Sequence, residues 1–230
     1  MFICQKIDGE ITLDFVQATY HAVNFANWFN SEKAHEIQFV ESIDDIQYAT
    51  KSDIPVGSVE FVEGFYNKFH NLDLKPYNIP KILRKYSKRH IYDGDENTVI
   101  NKQTFCKSAD KLKGFTDIID SSTELEHGNY IFSELIDIES EWRCFVYKGQ
   151  LLGVHNYVNS LSHYPDINEI KNMIKDFNEL DAYTLDAGVN NEGTFIIEVH
   201  DFYSCGLYGF RDFSKIINMT IASHYQKIRR

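Results

Sequence analysis

The residues of this chain best suited to chemistry lie in Ala182–Arg211, AYTLDAGVNNEGTFIIEVHDFYSCGLYGFR, where two acids and a histidine fall into one repeating geometry. Two β-prone runs, 182–189 and 194–199, flank Asn190-Asn191-Glu192-Gly193, a turn sequence that predicts a hairpin. With Gly193 in the left-handed position of a three-residue loop, facing residue numbers sum to about 384, which sets Asp186 opposite Glu198. Alternation then adds His200 to the same face and sends Phe195, Ile197 and Val199 to an apolar one. Two carboxylates at cross-strand distance repel unless a cation lies between them, and such oxygen ligands suit a magnesium ion that also holds phosphate oxygens. The alternative is an ordinary solvated hairpin face.

Three further stretches carry charged groups in patterned positions. Thr98–Lys107 alternates as a strand that ends on lysine and opens into the polar loop SADKLKGFTD, which contains Lys113 and Gly114. Such a loop can cradle phosphates with its backbone N–H groups, although Gly-x-x-x-x-Gly-Lys-Ser/Thr is absent and a surface turn is the plainer reading. Tyr130–Ile136 is a strand carrying Glu134. Glu141–Lys148 and Leu151–Val158 flank Lys148-Gly149-Gln150 as a second hairpin, with Glu141, Arg143, Phe145 and Tyr147 on one face and Trp142, Cys144 and Val146 on the other. Glu141 and Arg143 could form a structural ion pair, but arginine is also suited to a migrating phosphoryl group. In the loop FYSCGLYGF, Gly206 and Gly209 allow backbone to approach a ligand closely.

The elements that position these residues read as two units, 1–88 and 89–230. In the first, Ile37–Glu41 is a strand, Ser42–Ala49 a short helix with an acidic cap, Pro55–Val62 a strand and Glu63–Phe69 helix-like, while Thr12–Asn30 fits helix or strand equally. Pro80 is placed to start a short helix, and the cluster Arg84, Lys85, Lys88 and Arg89 reads as a solvated helix end or, less plainly, an anion site. In the second, Asp93-Gly94-Asp95 is a turn. Asp166 caps a helix whose stripe is Ile170, Met173, Ile174, Phe177 and Leu180. Asp212 caps a last helix with Phe213, Ile216, Ile217, Ile221 and Tyr225 inward and Lys227, Arg229 and Arg230 at its C-terminal end.

Composition narrows the function classes. A 43% hydrophobic and 25% charged chain of 230 residues is long enough for a sizeable core. A formal net charge of -11 argues against non-specific binding to nucleic acid or an anionic membrane, because a phosphate backbone rewards clustered Lys and Arg. Cys4, Cys106, Cys144 and Cys205 stand far apart, which suggests neither a disulfide framework nor a zinc ribbon and points to a reducing compartment. MFICQKIDGE lacks the apolar core of a signal peptide, and no apolar run approaches about 18 residues, so the expectation is a cytoplasmic location.

The order strand-Lys-loop, SELI strand, Glu-x-Arg hairpin, helix, Asp strand and Glu-x-His strand resembles the ATP-grasp family, in particular the small stand-alone domains of bacteria and their phages. The likeness covers about Arg89–Phe213. It implies an α+β fold in which two α+β lobes, 89–136 carrying the nucleotide loop and 137–230 carrying the metal acids, clamp ATP behind a small α/β N-terminal unit. It further implies that Lys107 contacts the nucleotide's phosphate and adenine side, that 108–116 with Lys113 and Gly114 close over the phosphates, and that Ser133, Glu134, Leu135 and Ile136 read the adenine edge. Glu141 would hold the ribose, Arg143 would face the γ-phosphate, and Asp186 and Glu198 would bind metal. His200 stands where the family usually has Asn, with Asp201 as a substitute ligand if the strand bulges, and His155–Tyr157 occupy a strand where related ligases often place another arginine.

The implied activity is an ATP-dependent ligase joining a carboxylate to an amine or thiol through an acylphosphate. ATP and Mg²⁺, or Mn²⁺ in its place, would be the cofactors, and small-molecule, amino-acid or peptide carboxylates and amines the substrates, with the acceptor carboxylate near Gly206–Gly209. Lys107 and Arg143 would be the catalytic cations. Two alternatives stand beside it: a module that holds nucleotide without turnover, and a metal-dependent hydrolase using His155, His163, His200, Glu198 and Asp201.

Overall fold

The computed structural model describes residues 1–29 and 35–229. Its strands form three sheets: a parallel three-stranded sheet of order β2-β1-β3 and two four-stranded sheets of order β4-β7-β5-β6 and β11-β10-β8-β9.

The first sheet contains β1 (Phe2–Gln5), β2 (Ile37–Val40) and β3 (Ile54–Val56), with helices α1 (Asp14–Phe29) and α2 (Val59–His70). The undecided stretch 12–30 is therefore a helix as far as it is described, since Asn30 lies outside the described residues. The strand expected over 55–62 stops at Val56, because the Ser58 hydroxyl accepts from Phe61 N and starts α2. The helix expected over 42–49 is a single 3-10 turn, Ile43–Asp45, closed by a capping box between Ser42 and Asp45, and Ile46 then turns inward. Pro80 does lead into a short 3-10 helix, Lys81–Tyr86.

The second sheet contains β4 (Ile91–Asp95), β5 (Thr104–Ser108), β6 (Thr116–Ile119) and β7 (Asn129–Ser133). Two expectations change here. Asp93-Gly94-Asp95 is strand rather than turn, with Gly94 needed because a Cβ would meet Phe132 and Thr98, and the strand expected from Thr98 begins only at Thr104. Thr116, expected in the loop, starts β6, which pairs back onto β5 and shortens the loop to 109–115.

The third sheet contains β8 (Ser140–Tyr147), β9 (Gln150–Asn159), β10 (Ala182–Asn190) and β11 (Gly193–Asp201). Helix α3 (Ile167–Asp176), capped by Asp166, covers one face, where Ile170, Met173, Ile174, Phe177 and Leu180 pack against Cys144, Val146, Leu185 and Val199. A second core joins Phe145, Ala182 and Phe202 to β1, α1, β3 and α4 (Phe213–Ile228), so the N-terminal sheet shares its core with the C-terminal one. No helix among the described residues is long and apolar enough to cross a membrane.

The β10–β11 hairpin reaches the expected pairing by a different route. Its closing pair is Asn190–Gly193, so the loop has two residues, and a bulge leaves Ile197 without a partner between the pairs Ala187–Ile196 and Asp186–Glu198. The bulge also changes the faces. Ile196, not Ile197, joins Val199 in the core, while Ile197 and Glu198 both line the cleft.

Candidate active site: a cleft between two sheets

The third sheet's cleft-side face carries one cross-strand row, His155–Arg143–Asp186–Glu198, running over β9, β8, β10 and β11. Adjacent pairs in such a row lie at about 4.5–5.5 Å, close enough for their charges to act on each other directly. Arg143 donates to Asp186 through Nε at 2.8 Å and Nη2 at 2.6 Å, a bidentate pair, and Nη1 donates to the Gly206 carbonyl at 3.1 Å. Burial lowers the proton affinity of this guanidinium, and the Asp186 carboxylate more than reverses that. Tyr157 donates to Glu141 at 2.7 Å and to Asp186 at 3.3 Å, and its ring stacks on Tyr208 beside Arg143.

Lys107 comes from the facing sheet, at the penultimate position of β5, and its ammonium pairs with Glu198 Oε2 across the cleft. Burial raises the Glu198 carboxyl, and the Lys107 charge outweighs it, so the group sits below its ordinary value. This contact divides the cleft into two connected cavities that share Asn78, Lys107 and Glu198. The first, about 340 Å³, has apolar walls from Ile79, Phe105, Ile131, Ile138 and Ile197, with Ser133, Glu134, Leu135, Ile136 and Glu141 around it. The second, about 260 Å³, is polar: Lys113, Thr116, Arg143, His200 and Ser204 line it beside Cys205 and Gly206.

Most of the expected nucleotide-side residues thus meet in one cleft. Gly114 does not line either cavity. It sits against Ser108 and Lys111, where it lets the 109–115 loop turn tightly. Glu134 turns its carboxylate outward, accepting from His90 N at 3.0 Å and pairing with Lys102 at 2.9 Å. Phe105, Ile118, Ile131 and Ile138 do not stand out in the sequence, although alternation along β5 places Phe105 on the Lys107 face. Arg89, which reads mainly as part of a solvated helix end, also lines the first cavity, whereas Arg84 and Lys85 do pair at the surface with Asp93 and Asp176.

The metal-side residues divide. Asp186 and Glu198 face each other as the donor set of a hard cation would, and Glu198 opens to both cavities. Each already has a protein cation, and among the described residues no group of three His, Cys, Asp or Glu side chains is arranged to hold an ion. A divalent cation therefore fits at Glu198 with Asp186 behind it once Lys107 is drawn away. His200 lines the second cavity, its Nδ1 buried without a partner, and burial pulls its imidazole down to about 4. Asp201 is a correction. The bulge falls at Ile197, so Asp201 points away from the cleft, where its carboxylate accepts from Lys227, Ser223 and Gln226. The histidines of the hydrolase reading do not converge either: His155 contacts the Tyr208 carbonyl and His163 pairs with Glu139.

Comparison with known proteins places this geometry in a family. The solved structures it resembles include an ATP-grasp RimK domain protein from Sphaerobacter thermophilus, with a TM-score of 0.57 at 10% identity over 99% of this chain and 98% of that one. D-alanine–D-alanine ligase from Bacillus anthracis superposes with a TM-score of 0.54 at 11% identity, over 99% and 97% of the two chains. The N5-carboxyaminoimidazole ribonucleotide synthetase of Thermotoga maritima gives 0.52 at 10% identity, over 96% of this chain and 75% of that one. At these identities the likeness is one of fold, and the fold is the α+β ATP-grasp fold. A search of curated proteins returns no match. The sequence profile of an ATP-grasp domain family, the second family of its clade, matches residues 86–215, more than half of the chain, from the 3-10 helix before β4 to the start of α4, and the chain belongs to that family.

Proposed function

We propose that the chain is an ATP-dependent ligase that activates a carboxylate as an acylphosphate for attack by an amine or thiol. The observation that carries this reading is the meeting of Lys107, from one sheet, with the Arg143–Asp186–Glu198 row of the other, at the junction of an apolar and a polar cavity. An apolar pocket of this size accepts a purine, and the polar chamber accepts a polyphosphate with the group it reacts with.

Lys107 and Lys113 would take phosphate oxygens, and Lys107 would leave Glu198 to do so. Glu198 and Asp186 would then hold Mg²⁺, which supplies charge neutralisation at the transferring phosphoryl group. Arg143, held rigid by Asp186 and the Gly206 carbonyl, contributes a fixed positive field with no reorganisation during transfer. The acceptor carboxylate would lie on the Ser204–Gly206 side of the polar chamber. Amino-acid or peptide carboxylates and amines are the substrate class that suits such a chamber.

A second reading, nucleotide binding without turnover, draws on one observation: Arg143 has spent its in-plane donors on Asp186 and Gly206. Calorimetry with ATP, with and without Mg²⁺, followed by ADP release against pooled amino acids, peptides and amines, separates the two. Equal ATP affinity in EDTA removes the metal role, and tight Mg²⁺-dependent binding with no ADP release in any pool supports the binding module.

A further inference from the structure

Arg89 is a half-buried arginine that lines the apolar cavity without an acidic partner. Among the described residues it makes no ion pair. Its contacts are the face of Phe195, 5.7 Å from the ring centroid, and a long 3.4 Å hydrogen bond from Nη1 to the Ser87 carbonyl. Arginine carries five N–H donors in a planar fork, so most of them are unspent. Burying such a group costs free energy unless something accepts from it, and here loss of solvent alone lowers its proton affinity. Two other arginines are spent differently: Arg143 is saturated by Asp186 and Gly206, and Arg84 is bidentate on Asp93.

The strand registers fix which end of the cleft Arg89 faces. In the nucleotide-loop sheet, Ile91, Ser133 and Phe105 share one row, and Lys107 lies two residues further along β5. Arg89 precedes Ile91, on the side of that row away from Lys107, and Glu134 N bonds the carbonyl of its neighbour His90 at 3.1 Å. In the opposite sheet, Phe195, Gly188 and Glu141 share a row, one alternation removed from the Glu198–Asp186–Arg143 row. The Phe195 ring occupies the space where Gly188 has no Cβ. From both walls, Arg89 therefore sits at the end of the apolar cavity far from the Lys107–Glu198 contact.

Given the reading of this cleft as a nucleotide site, we infer that Arg89 is a binding residue for the nucleoside half of the nucleotide, donating to base or ribose acceptor atoms and leaving the phosphates to Lys107. An arginine between two sheets at that end would recognise bound nucleoside by forked donation, which a point charge cannot reproduce.

The test is titration of the full-length chain with adenosine, Mg²⁺-ATP and inorganic tripolyphosphate, for wild type, Arg89→Met and Arg89→Lys. Arg89→Met keeps an apolar stem over Phe195, and a thermal melt checks that it folds. The expected result is a fall of about tenfold or more in affinity for both adenosine and ATP in Arg89→Met, with tripolyphosphate within about twofold of wild type. Arg89→Lys should recover only part of the loss. Tripolyphosphate weakening as much as ATP, full recovery in Arg89→Lys, or unchanged adenosine binding would each overturn the inference while leaving the cleft assignment intact. A wild-type chain that takes up neither adenosine nor ATP would overturn both.

Discussion

Two carboxylate–lysine pairs stand three residues apart on β11, and they do opposite jobs. Glu198 meets Lys107 across the open cleft, with side chains 26% and 27% exposed, while Asp201 meets Lys227 beneath α4, with side chains 8% and 3% exposed. The difference lies in what else each group touches. The Asp201 carboxylate accepts from Ser223 at 2.8 Å and Gln226 at 2.6 Å, and Lys227 also donates to the Ser223 carbonyl at 3.1 Å, so the pair is saturated. Glu198 has only Lys107, and Lys107 has only Glu198. A saturated pair holds a fold together; an unsaturated pair in a cleft can exchange its partner for a ligand. The bulge at Ile197 produces this division, since it sends Glu198 to one side of the strand and Asp201 to the other.

The comparison is tested first by stability. Removing one partner of a buried ion pair typically costs about 3–5 kcal/mol, because the other charge stays buried alone. Asp201→Ala should therefore destabilise the chain by about that amount, and the double variant Asp201→Leu/Lys227→Met should regain most of it. Glu198→Gln should change stability by no more than about 1 kcal/mol, since a part-exposed pair is lost while the opposed Asp186 is relieved of a like charge. Urea unfolding of the three variants decides it. Equal losses at 198 and 201 would erase the distinction.

The interior side should also show in pH dependence. His224 Nε2 faces the Lys51 carbonyl at 2.9 Å and Nδ1 faces the Tyr66 hydroxyl at 2.8 Å, so the neutral ring donates through Nε2 and accepts at Nδ1. Burial lowers its pKa from 6.5 to about 4. The unfolded chain then binds the proton more readily, so the stability from this site is complete above pH 6.5 and falls as pH drops towards 4, by on the order of 3 kcal/mol. His224→Gln should flatten that fall in melts between pH 7 and pH 4. An unchanged slope would show that other groups carry it.

On the cleft side the expected effect is on turnover. Glu198→Gln should lower Mg²⁺-dependent ADP release by about a hundredfold or more while the chain stays folded. Near wild-type turnover in this variant would sink the ligase mechanism.

How much of this is legible in the sequence follows the range over which each signal acts. The Asp186–Glu198 pairing is readable because a turn sequence and period-2 alternation are local, and a loop counted one residue too long is cancelled by the bulge. The bulge itself leaves no local mark, so alternation exchanges the faces of Ile196 and Ile197 and offers Asp201 to the wrong side. Helix α3 is readable from its cap and stripe, whereas α2 reads partly as strand because Val56, Val59, Phe61 and Val62 also satisfy a strand pattern. Lys227 and Arg89 look like solvated terminal charges in one dimension. Only packing between distant segments shows one held by Asp201 and the other turned into the cleft.

The smallest expected effect concerns Lys107 and separates its two states. In the ligand-free chain its ammonium balances Glu198, so Lys107→Met leaves that carboxylate facing the Asp186 row without a counter-charge. ATP without metal should bind this variant about tenfold more weakly, because a phosphate contact is lost and an unscreened carboxylate faces the polyphosphate. Divalent metal should narrow the deficit, since the cation meets a Glu198 that no longer has a competing lysine. The measurement is ATP affinity for wild type and Lys107→Met, each in EDTA and in excess Mg²⁺. A deficit that is the same in both media would mean that Lys107 contributes only a phosphate contact and does not compete with the metal for Glu198, and the exchange of partners at this pair would have to be given up.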